Sequence, residues 1–339
     1  MFFCRRFAKL LLFIAFVMVS VSGHCQIECS EKSNGNKLKL VYSEVNPMNS
    51  YSGYMAKLFK QRVEELSLGT IEVEIKAGGE LGNDDEVLAS IVNGDGPDFA
   101  RVSVSYLQKY GANKTAMLST PYVFSSHEHF FRFTESKLDR ECLDEIYETG
   151  KIFKGVAFYE EGFRNFFSKK RITDLSHLEG LKFRASTGLY FDDLIKVFGA
   201  SGVKIPFTEM GHAIYTGVVD GAEQPILNYL SSEVYTWAPY MILDEHVLAL
   251  SEIVVNGKTW EKLTDVQKSV IERAGYFVQR SNKVTIKSHE ERALNELKKK
   301  GVTITPISDK EAWIQKCTEL TARTTKAYFD FYNKIQELK

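Results

Sequence analysis

The sequence predicts an α/β fold made of two similar lobes that face each other across a cleft. Strand and helix patterns alternate as strand–helix–strand–helix–strand over residues 37–102, and the alternation starts again after Gly150. That order is typical of a parallel sheet with helices on both faces. A length of 339 residues favours two domains over one. The last third contains one helix pattern long enough to lie across both lobes.

The first half carries clear signals for its strands and helices. The predicted strands are 37–42, 71–75 and 97–102, and the predicted helices are 51–66 and 84–92. Segments 37–42 and 71–75 alternate apolar and polar residues, as expected for strands. Ser50 is able to cap the first helix, and Asn93–Gly94 ends the second.

The second half repeats these signals on a smaller scale. The predicted strands are 155–159, 181–184 and 203–206, the predicted helices are 190–197 and 208–217, and residues 218–224 run back toward the cleft. Arg184 falls at the carboxyl end of its strand. Ligands of open α/β sheets bind at that edge, so Arg184 is expected to face a ligand.

The long helix is bounded by two end signals. Thr264–Gln267 forms a capping box, and Lys298–Gly301 supplies the cations and the glycine that suit a helix end. About 36 residues at 1.5 Å each give roughly 54 Å, which exceeds one small domain. The helix is therefore expected to brace both lobes. Ser308–Glu311 is expected to start a final helix by the same capping logic.

Two arginines indicate the chemistry of the cleft. Arg164 in GFRN and Arg184 in GLKFR lie 20 positions apart, and the turn GAEQP follows about 40 positions later. A planar guanidinium binds a carboxylate through two parallel hydrogen bonds, so the pattern predicts capture of an organic acid. Glu160 and Glu161 are adjacent on a predicted strand and point to opposite faces, which argues against a catalytic dyad. No enzyme activity is predicted.

Composition excludes several other classes of function. The net charge of −1 gives no support to nucleic-acid binding. The cysteines form no CxxC pair and the histidines no cluster, so no metal and no cofactor is expected. Asp84–Glu86 is interpreted as a solvated helix start rather than a calcium site. His127 and His129 likewise resemble a metal pair only superficially.

The first residues have the features of an export signal. Basic residues precede an apolar run over 10–21, and residues 21–23 form a small-residue cleavage site. Residues 1–23 are therefore predicted to be a signal peptide, with an uncleaved signal anchor as the alternative. Lipid attachment at Cys25 is left open, although His24 stands where a small residue is expected.

Six motifs together resemble one family. They are GELG at 79–82, PYVF at 121–124, GFRN at 162–165, GLKFR at 180–184, IPFTEM at 205–210 and GVVDGAEQP at 217–225. Over residues 37–335 the chain resembles the solute-binding proteins of TRAP (tripartite ATP-independent periplasmic) transporters, the DctP-like family. Each motif alone is weak, but six in the family order are specific.

The resemblance implies a two-lobed periplasmic-binding-protein fold with a long helix spanning both lobes. Lobe I is expected to contain residues 37–161 and 250–289, and lobe II residues 162–249 and 290–339. The implied function is that of a periplasmic receptor that captures a carboxylate and delivers it to membrane-embedded TRAP subunits. Some systems of the family also use a periplasmic helical-repeat protein, which is a further partner to consider.

The resemblance also assigns residues to the site. Arg184 matches the arginine that pairs with the ligand carboxylate, and Arg164 matches a second cleft arginine. Phe207 matches a wall residue. Gln224 stands where the family usually has an asparagine that reaches the same carboxylate. Ser103 stands where some sugar-acid binders carry an acidic residue, which makes an amino-sugar acid such as sialic acid less expected.

Aromatic residues are plentiful near the expected cleft. They are Tyr42, Tyr106, Tyr122, Tyr159, Tyr190, Phe207 and Tyr215. Tyr190 and Tyr215 are accordingly included among the expected ligand-binding residues, and an apolar acid such as a keto acid would suit such a wall. Two alternatives are kept: a receptor for a hydrophobic ligand, and a partner-binding module that works with a helical-repeat protein. A large exposed apolar patch outside the cleft would favour the latter.

Overall fold

One continuous ten-stranded sheet organises the chain in the computed structural model, which describes residues 37–339. The strands are β1 (Leu38–Ser43), β2 (Ile71–Lys76), β3 (Phe99–Ser103), β4 (Phe153–Ser168), β5 (Lys182–Ala185), β6 (Ser201–Lys204), β7 (Gly221–Pro225), β8 (Tyr240–Leu243), β9 (Val247–Asn256) and β10 (Thr303–Pro306). Their order is β2-β1-β3-β9-β4-β7-β5-β6, while β8 pairs with β4 and β10.

Helices cover this sheet and connect its strands. They are α1 (Tyr51–Leu66), α2 (Asp84–Asn93), α3 (Asn113–Met117), α4 (His127–Thr134), α5 (Lys137–Leu143), α6 (Glu145–Gly150), α7 (Phe191–Val197), α8 (Met210–Thr216), α9 (Ile226–Ser231), α10 (Gly257–Lys262), α11 (Asp265–Lys299), α12 (Lys310–Thr325) and α13 (Phe329–Gln336). In the described part of the chain, no helix combines the length and apolar character that a membrane crossing requires.

The predicted elements of the first half are confirmed. Strand β1 pairs in parallel with both β2 and β3, which gives the expected parallel βαβαβ unit. Helix α1 begins after Ser50, whose side chain accepts a hydrogen bond from the Gly53 amide. Helix α2 ends at Gly94, whose φ of 99° lies in the left-handed region that favours glycine. Local signals were sufficient here because each of these residues acts on its own helix end.

Strands β4 and β9 are antiparallel and join the two halves of the sheet. The predicted short strand 155–159 with GFRN after it is wrong: β4 runs on to Ser168 because residues 164–168 pair with β7. The β4–β9 register shifts between Glu160 and Phe163, where Gly162 has a φ of 94°. Strand β4 therefore has an irregularity in its middle, at the start of GFRN.

The second half has its own apolar core. Strand β5 is parallel to both β6 and β7. Phe166, Phe183, Leu194 and Trp313 belong to one buried cluster under this part of the sheet. The predicted helix 190–197 begins one residue later, and the predicted helix 208–217 is a 3₁₀ turn (Phe207–Glu209) followed by α8.

The long helix is confirmed. Helix α11 has 35 residues, and the capping box between Thr264 and Gln267 is present. At 1.5 Å per residue it is about 52 Å long, and it contacts β4, α1 and α9.

The final segment differs from prediction in its cap, because Asp309 and not Ser308 accepts the hydrogen bond from the Ala312 amide. The chain also continues beyond α12 into α13.

Candidate functional site

A cavity lies where β4 and β9 join the two halves of the sheet. Its volume is about 40 Å³, which is well below the roughly 300–1,000 Å³ of typical small-molecule pockets. Its lining residues are Val45, Asn46, Asp84, Arg101, Ser103, Tyr106, Glu161, Arg164, Arg184, Ser186, Phe207, Gln224, Asn228, Ala249, Leu250 and Ser251. They come from both predicted lobes and are mostly polar. Gln224 is 3% exposed and Arg184 is 1% exposed, so solvent has little access to these side chains in this structure.

Arg184 is the unpaired cation of the cavity. It lies near the carboxyl end of β5, is 1% exposed, and its Nε donates to the Ile205 carbonyl at 2.7 Å. Within residues 37–339, no carboxylate forms a salt bridge with its guanidinium. Burial lowers the pKa of Arg184 from its ordinary value, yet a guanidinium stays protonated in proteins. The cavity therefore contains a buried positive charge that an anionic ligand would compensate.

Arg164 lies beside it but already has an anionic partner. Its Nε and Nη2 donate to the two carboxylate oxygens of Glu223, with 2.8 Å between Nη2 and Oε1. Its guanidinium also stacks over the Phe191 ring, 4.6 Å from the centroid. Because Glu223 compensates its charge, Arg164 contributes a polar surface to the cavity and not a second uncompensated positive charge.

Glu223 continues into a buried network that the sequence analysis missed. Its Oε2 lies 3.3 Å from His246 Nε2, and His246 Nδ1 lies 2.5 Å from Asp244 Oδ2. All three side chains are fully buried. Burial acts against the charge of Glu223, but Arg164 and His246 outweigh it and lower its pKa to about 2. Burial also opposes the imidazolium, but Asp244 and Glu223 raise the pKa of His246 to about 9.

We expect this network to make stability depend on pH at both ends of the range. The charge of His246 contributes fully below its unfolded pKa of about 6.5, and the contribution is lost as the pH rises toward 9. The charge of Glu223 contributes above about 4.5, and the contribution is lost as the pH falls toward 2. One proton changes the unfolding free energy by at most about 1.4 kcal/mol per pH unit. Melting temperatures from pH 6.5 to 9 should fall less for His246→Gln than for the wild type; equal slopes would contradict this assignment.

The other end of the cavity is built around Arg101. Its guanidinium lies 3.3 Å from Glu44 Oε1, 3.5 Å from Glu161 Oε1 and 3.8 Å from Asp84 Oδ1. Burial raises the pKa of Glu44 to about 7, against the opposing effect of Arg101. Burial also acts against the charge of Glu161, but Arg101 outweighs it and lowers the pKa of that carboxyl. One arginine is thus shared among three buried carboxyl groups.

Several acceptors in this region have no hydrogen-bond partner in the protein. Asp84 Oδ1, Asn46 Oδ1, Asn228 Oδ1 and Glu44 Oε2 are buried and unsatisfied within the described residues. Buried polar atoms normally find partners, in the protein, in water or in a ligand. The cavity therefore combines an arginine that has no salt bridge with several unsatisfied hydrogen-bond acceptors.

The interpretation of Asp84–Glu86 as a solvated helix start is corrected in part. The segment does start α2, with Asn83 and Glu86 forming a capping box. Asp84, however, is 6% exposed and lines the cavity beside Arg101. It is buried because the first turn of α2 is directed at the cleft, which a one-dimensional charge pattern does not reveal.

The structure separates the predicted site residues into two groups. Arg184, Arg164, Phe207 and Gln224 line the cavity. Tyr190 and Tyr215 do not: Tyr190 precedes α7 with a φ of 71° and lies outside the lining, and Tyr215 is 64% exposed and packs on Trp237, 5.6 Å between ring centroids. We therefore correct the expectation that these two tyrosines form the pocket wall. They lie near the ends of α7 and α8, outside the cavity lining.

The expected aromatic wall is also smaller than predicted. Of the seven aromatics considered, Tyr106 and Phe207 line the cavity, while Tyr42 and Tyr159 are buried in the main apolar core. Most of the site polarity comes instead from residues that the sequence analysis did not select. Arg101 did leave a signal, because it interrupts the apolar pattern of the strand PDFARVS.

The adjacent glutamates of β4 have different surroundings. Glu160 contacts His127, whereas Glu161 accepts from Ser251 and Asn228 in the cavity. The prediction that the two glutamates point to opposite faces is therefore confirmed.

Cys142 and Cys317, the cysteines of the described region, are both free and buried. Residues 37–339 contain no group of three potential ligands arranged for a metal ion.

One known protein family matches most of this chain. Residues 42–327 match the family model described as bacterial extracellular solute-binding protein, family 7 (DctP). The sialic acid-binding periplasmic protein SiaP of Vibrio cholerae is 24% identical over 250 residues, which are 74% of this chain and 77% of that protein.

Solved structures have the same architecture. A TRAP periplasmic solute-binding protein from Pseudomonas putida F1 with bound D-glucuronate superposes with a TM-score of 0.84 at 24% identity, covering 88% of this chain and 97% of that one. A TRAP periplasmic solute-binding protein from Polaromonas sp. JS666 bound to D-erythronate gives 0.83 at 24% identity, covering 88% and 98%. The predicted two-lobed α/β fold is thereby confirmed. The chain belongs to the family 7 bacterial extracellular solute-binding proteins, the DctP-type receptors of TRAP transporters.

Proposed function

We propose that this receptor closes on a hydroxylated organic acid, such as a sugar acid, and delivers it to the membrane subunits of a TRAP transporter. The observation that carries the proposal is the unpaired, buried guanidinium of Arg184 in a cavity whose far walls hold unsatisfied acceptors. A ligand with a carboxylate at one end and several hydroxyl donors at the other would satisfy both.

The carboxylate is proposed to bind at Arg184. The hydrogen bond from Nε to the Ile205 carbonyl holds the guanidinium plane and leaves its terminal nitrogens for the ligand. Gln224 lies in the same wall and can donate a further hydrogen bond from its side-chain amide. Arg164 is held in place by Glu223 and Phe191, so its proposed contribution is a polar surface beside the carboxylate.

The hydroxyl groups are proposed to bind where acceptors are in excess. Asn46, Asp84 and Asn228 each have a buried oxygen that lacks a donor. A hydroxyl both donates and accepts, so a polyol is well matched to this mixture of carboxyl, amide and serine groups. A hydrophobic ligand would leave these atoms unsatisfied, which makes a mostly polar cavity unfavourable for the hydrophobic alternative.

The related proteins are consistent with such a ligand. D-glucuronate and D-erythronate, named for two of the similar structures, are both hydroxylated carboxylates. SiaP is named for sialic acid, but Ser103 lines this cavity at the position where we expected an acidic residue in binders of such acids. We therefore propose a sugar acid without the amino substituent.

The lobes are proposed to move about the register shift between β4 and β9. The expected boundaries at 161/162 and 249/250 coincide with the register shift between Glu160 and Phe163 and with Gly162. A ligand that contacts lobe I (37–161 and 250–289) and lobe II (162–249 and 290–339) would stabilise the closed state through its differential affinity.

Export is part of the proposal. The predicted signal peptide at 1–23 and the lipid attachment considered at Cys25 lie outside the described residues and stay predictions. A helical-repeat protein as a further partner likewise stays a prediction.

The proposal is tested by measuring which acids the purified protein binds. We expect D-glucuronate or D-erythronate to raise the melting temperature, because a ligand specific for the folded state stabilises it by mass action. Glucose, which lacks the carboxylate, and 2-oxobutanoate, which lacks the hydroxyl groups, serve as matched controls. Mass spectrometry of molecules released from the protein gives an independent identification. Stabilisation by 2-oxobutanoate alone, or recovery of an apolar molecule, would contradict the proposed ligand class.

A further inference from the structure

A buried charge cluster lies next to the register shift of β4 but outside the ligand cavity. His127 of α4 contacts Glu160 of β4 through Nδ1, at 2.7 Å from both carboxylate oxygens. Its Nε2 lies 3.2 Å from Glu290 Oε2 of α11. The side chains are 17%, 0% and 13% exposed in the order His127, Glu160 and Glu290. Three elements that are distant in sequence are thus joined by one imidazole.

The contacts favour a protonated imidazole. Both ring nitrogens face carboxylate oxygens, and a neutral histidine has a donor at only one of them. Burial opposes the charge, but the hydrogen bonds to Glu160 and Glu290 raise the pKa of His127 to about 10. The geometry thus favours an ionic link from His127 to Glu160 and Glu290, while burial raises the pKa of Glu160 to about 7 against the opposing effect of His127.

The surroundings of the cluster hold β4 and α11 close together. Asn282 of α11 donates to the Glu160 carbonyl at 2.8 Å and accepts from its amide at 3.1 Å. A Cβ at Gly162 would collide with the Glu290 carboxylate. Gly162 thus meets two requirements at once, the positive φ and the close approach of α11.

The position of the cluster relates it to the ligand. Glu161, the residue after Glu160, lines the cavity, and Arg164 follows three positions later on the same strand. The register shift at which the lobes are proposed to hinge lies between these residues. A change in the angle between β4 and α11 at Glu160 would therefore act on a strand whose next residue, Glu161, lines the cavity.

We infer that His127 is a positioning residue for ligand binding, because its imidazolium couples the hinge of β4 to α11 and favours the closed arrangement of the lobes. This inference rests on the proposed function, since it concerns closure on a ligand. It assigns no ligand contact to His127. The residue acts through Glu160 and Glu290.

A neighbouring ion pair provides a matched control. Lys287 of α11 pairs with Glu128 of α4 and so joins the same two helices, but both side chains are 55% exposed and neither contacts β4 through a salt bridge. Lys287→Gln removes this link but breaks no direct contact of β4, since its charge acts on Glu160 and Glu290 only at longer range. Exposed pairs of this kind contribute little to stability.

The test compares His127→Gln and Glu290→Gln with the control Lys287→Gln in the full-length protein. With D-glucuronate as probe, we expect a 5- to 50-fold loss of affinity in the first two variants, mostly as faster dissociation, and no change in the control. Glu290→Gln keeps the His127–Glu160 contact, so it remains informative if His127→Gln folds poorly. In the ligand-free state, small-angle scattering should show a larger radius of gyration for the two variants than for the wild type.

The readouts distinguish failure of this inference from failure of the proposed function. If wild type binds D-glucuronate and the variants lose stability but not affinity, the cluster is merely structural and the inference is wrong. If wild type binds no acid, the proposed function fails. The coupling of β4 to α11 is then judged from the radius of gyration alone, and an unchanged value in both variants overturns it. Equal affinity losses in Lys287→Gln would show that the effect is not specific to the hinge.

Discussion

Arg184→Ala is expected to reduce affinity for the acid ligand by roughly 30-fold to several thousand-fold, the range that follows from about 2–5 kcal/mol for truncating a buried charged contact. The reason is that Arg184 is the cavity cation without a carboxylate partner among the described residues, so the ligand carboxylate would lose its counter-charge. Arg184→Lys should also weaken binding strongly, because an ammonium cannot make the two-pronged contact and cannot copy the bond from Nε to Ile205. Calorimetric titration with D-glucuronate measures both variants.

Arg171→Lys is the control for this prediction. Arg171 is an exposed arginine shortly after β4, so the same substitution there should leave affinity unchanged. Binding of the acid by Arg184→Ala as tight as that of wild type would show that Arg184 does not anchor the ligand. Reversal of the charge, as in Arg184→Glu, should abolish binding of any acid.

Glu223→Gln is expected to reduce the unfolding free energy by about 3–5 kcal/mol, which is the usual effect of removing one partner of a buried ion pair. The substitution keeps the shape of the side chain but removes the anion that lies between Arg164 and His246. Both cations are then buried, and only Asp244 is left to balance them. Urea unfolding followed by tryptophan fluorescence measures the change.

The exposed glutamate Glu209, just before α8, provides the matched substitution. Glu209→Gln should change stability by no more than about 0.5 kcal/mol, as is usual for surface positions. A loss of less than about 1 kcal/mol in Glu223→Gln would mean that the network is less tightly coupled than its geometry indicates. The same variant should flatten the acid limb of the stability profile below pH 4.5, since the depressed pKa of Glu223 causes that limb.

The Glu223 network also changes the role of Arg164. From motif position alone, Arg164 was expected to be a second cation for the ligand. Its bidentate contact to Glu223 and its stacking on Phe191 hold it rigidly and compensate its charge. Among the cavity arginines, Arg184 is thus the one without a salt bridge to a described carboxylate, and under the proposed function one such cation suits a monocarboxylate better than a dicarboxylate.

Much of the fold was accessible from the sequence because the signals are local. Ser50, Asn93–Gly94 and the Thr264–Gln267 box each act on a helix end within four residues, and the structure has helix ends at those places. Alternation of apolar residues likewise identified β1 and β2, since each strand must bury one face. The position of Arg184 was also predictable, because it stands near the carboxyl end of a parallel strand, and it lines the cavity.

Tertiary structure decided the features that depend on partners far away in the chain. Strand β4 extends through GFRN because β7, about 60 positions later, supplies its hydrogen bonds. Arg164 is neutralised by Glu223, 59 positions away, and Arg101 is surrounded by carboxyl groups from three separate segments.

The same reason explains the errors at Tyr190 and Tyr215. Helical spacing places them near a helix end, but which side of that helix meets the cleft depends on how it packs on the rest of the lobe. The sequence by itself determined most elements of the first half, the ends of the long helix and the position of Arg184 near the end of its strand. Burial, charge compensation and the polar end of the cavity were decided only by packing, because charges and hydrogen bonds are matched between residues that are neighbours in space and not in sequence.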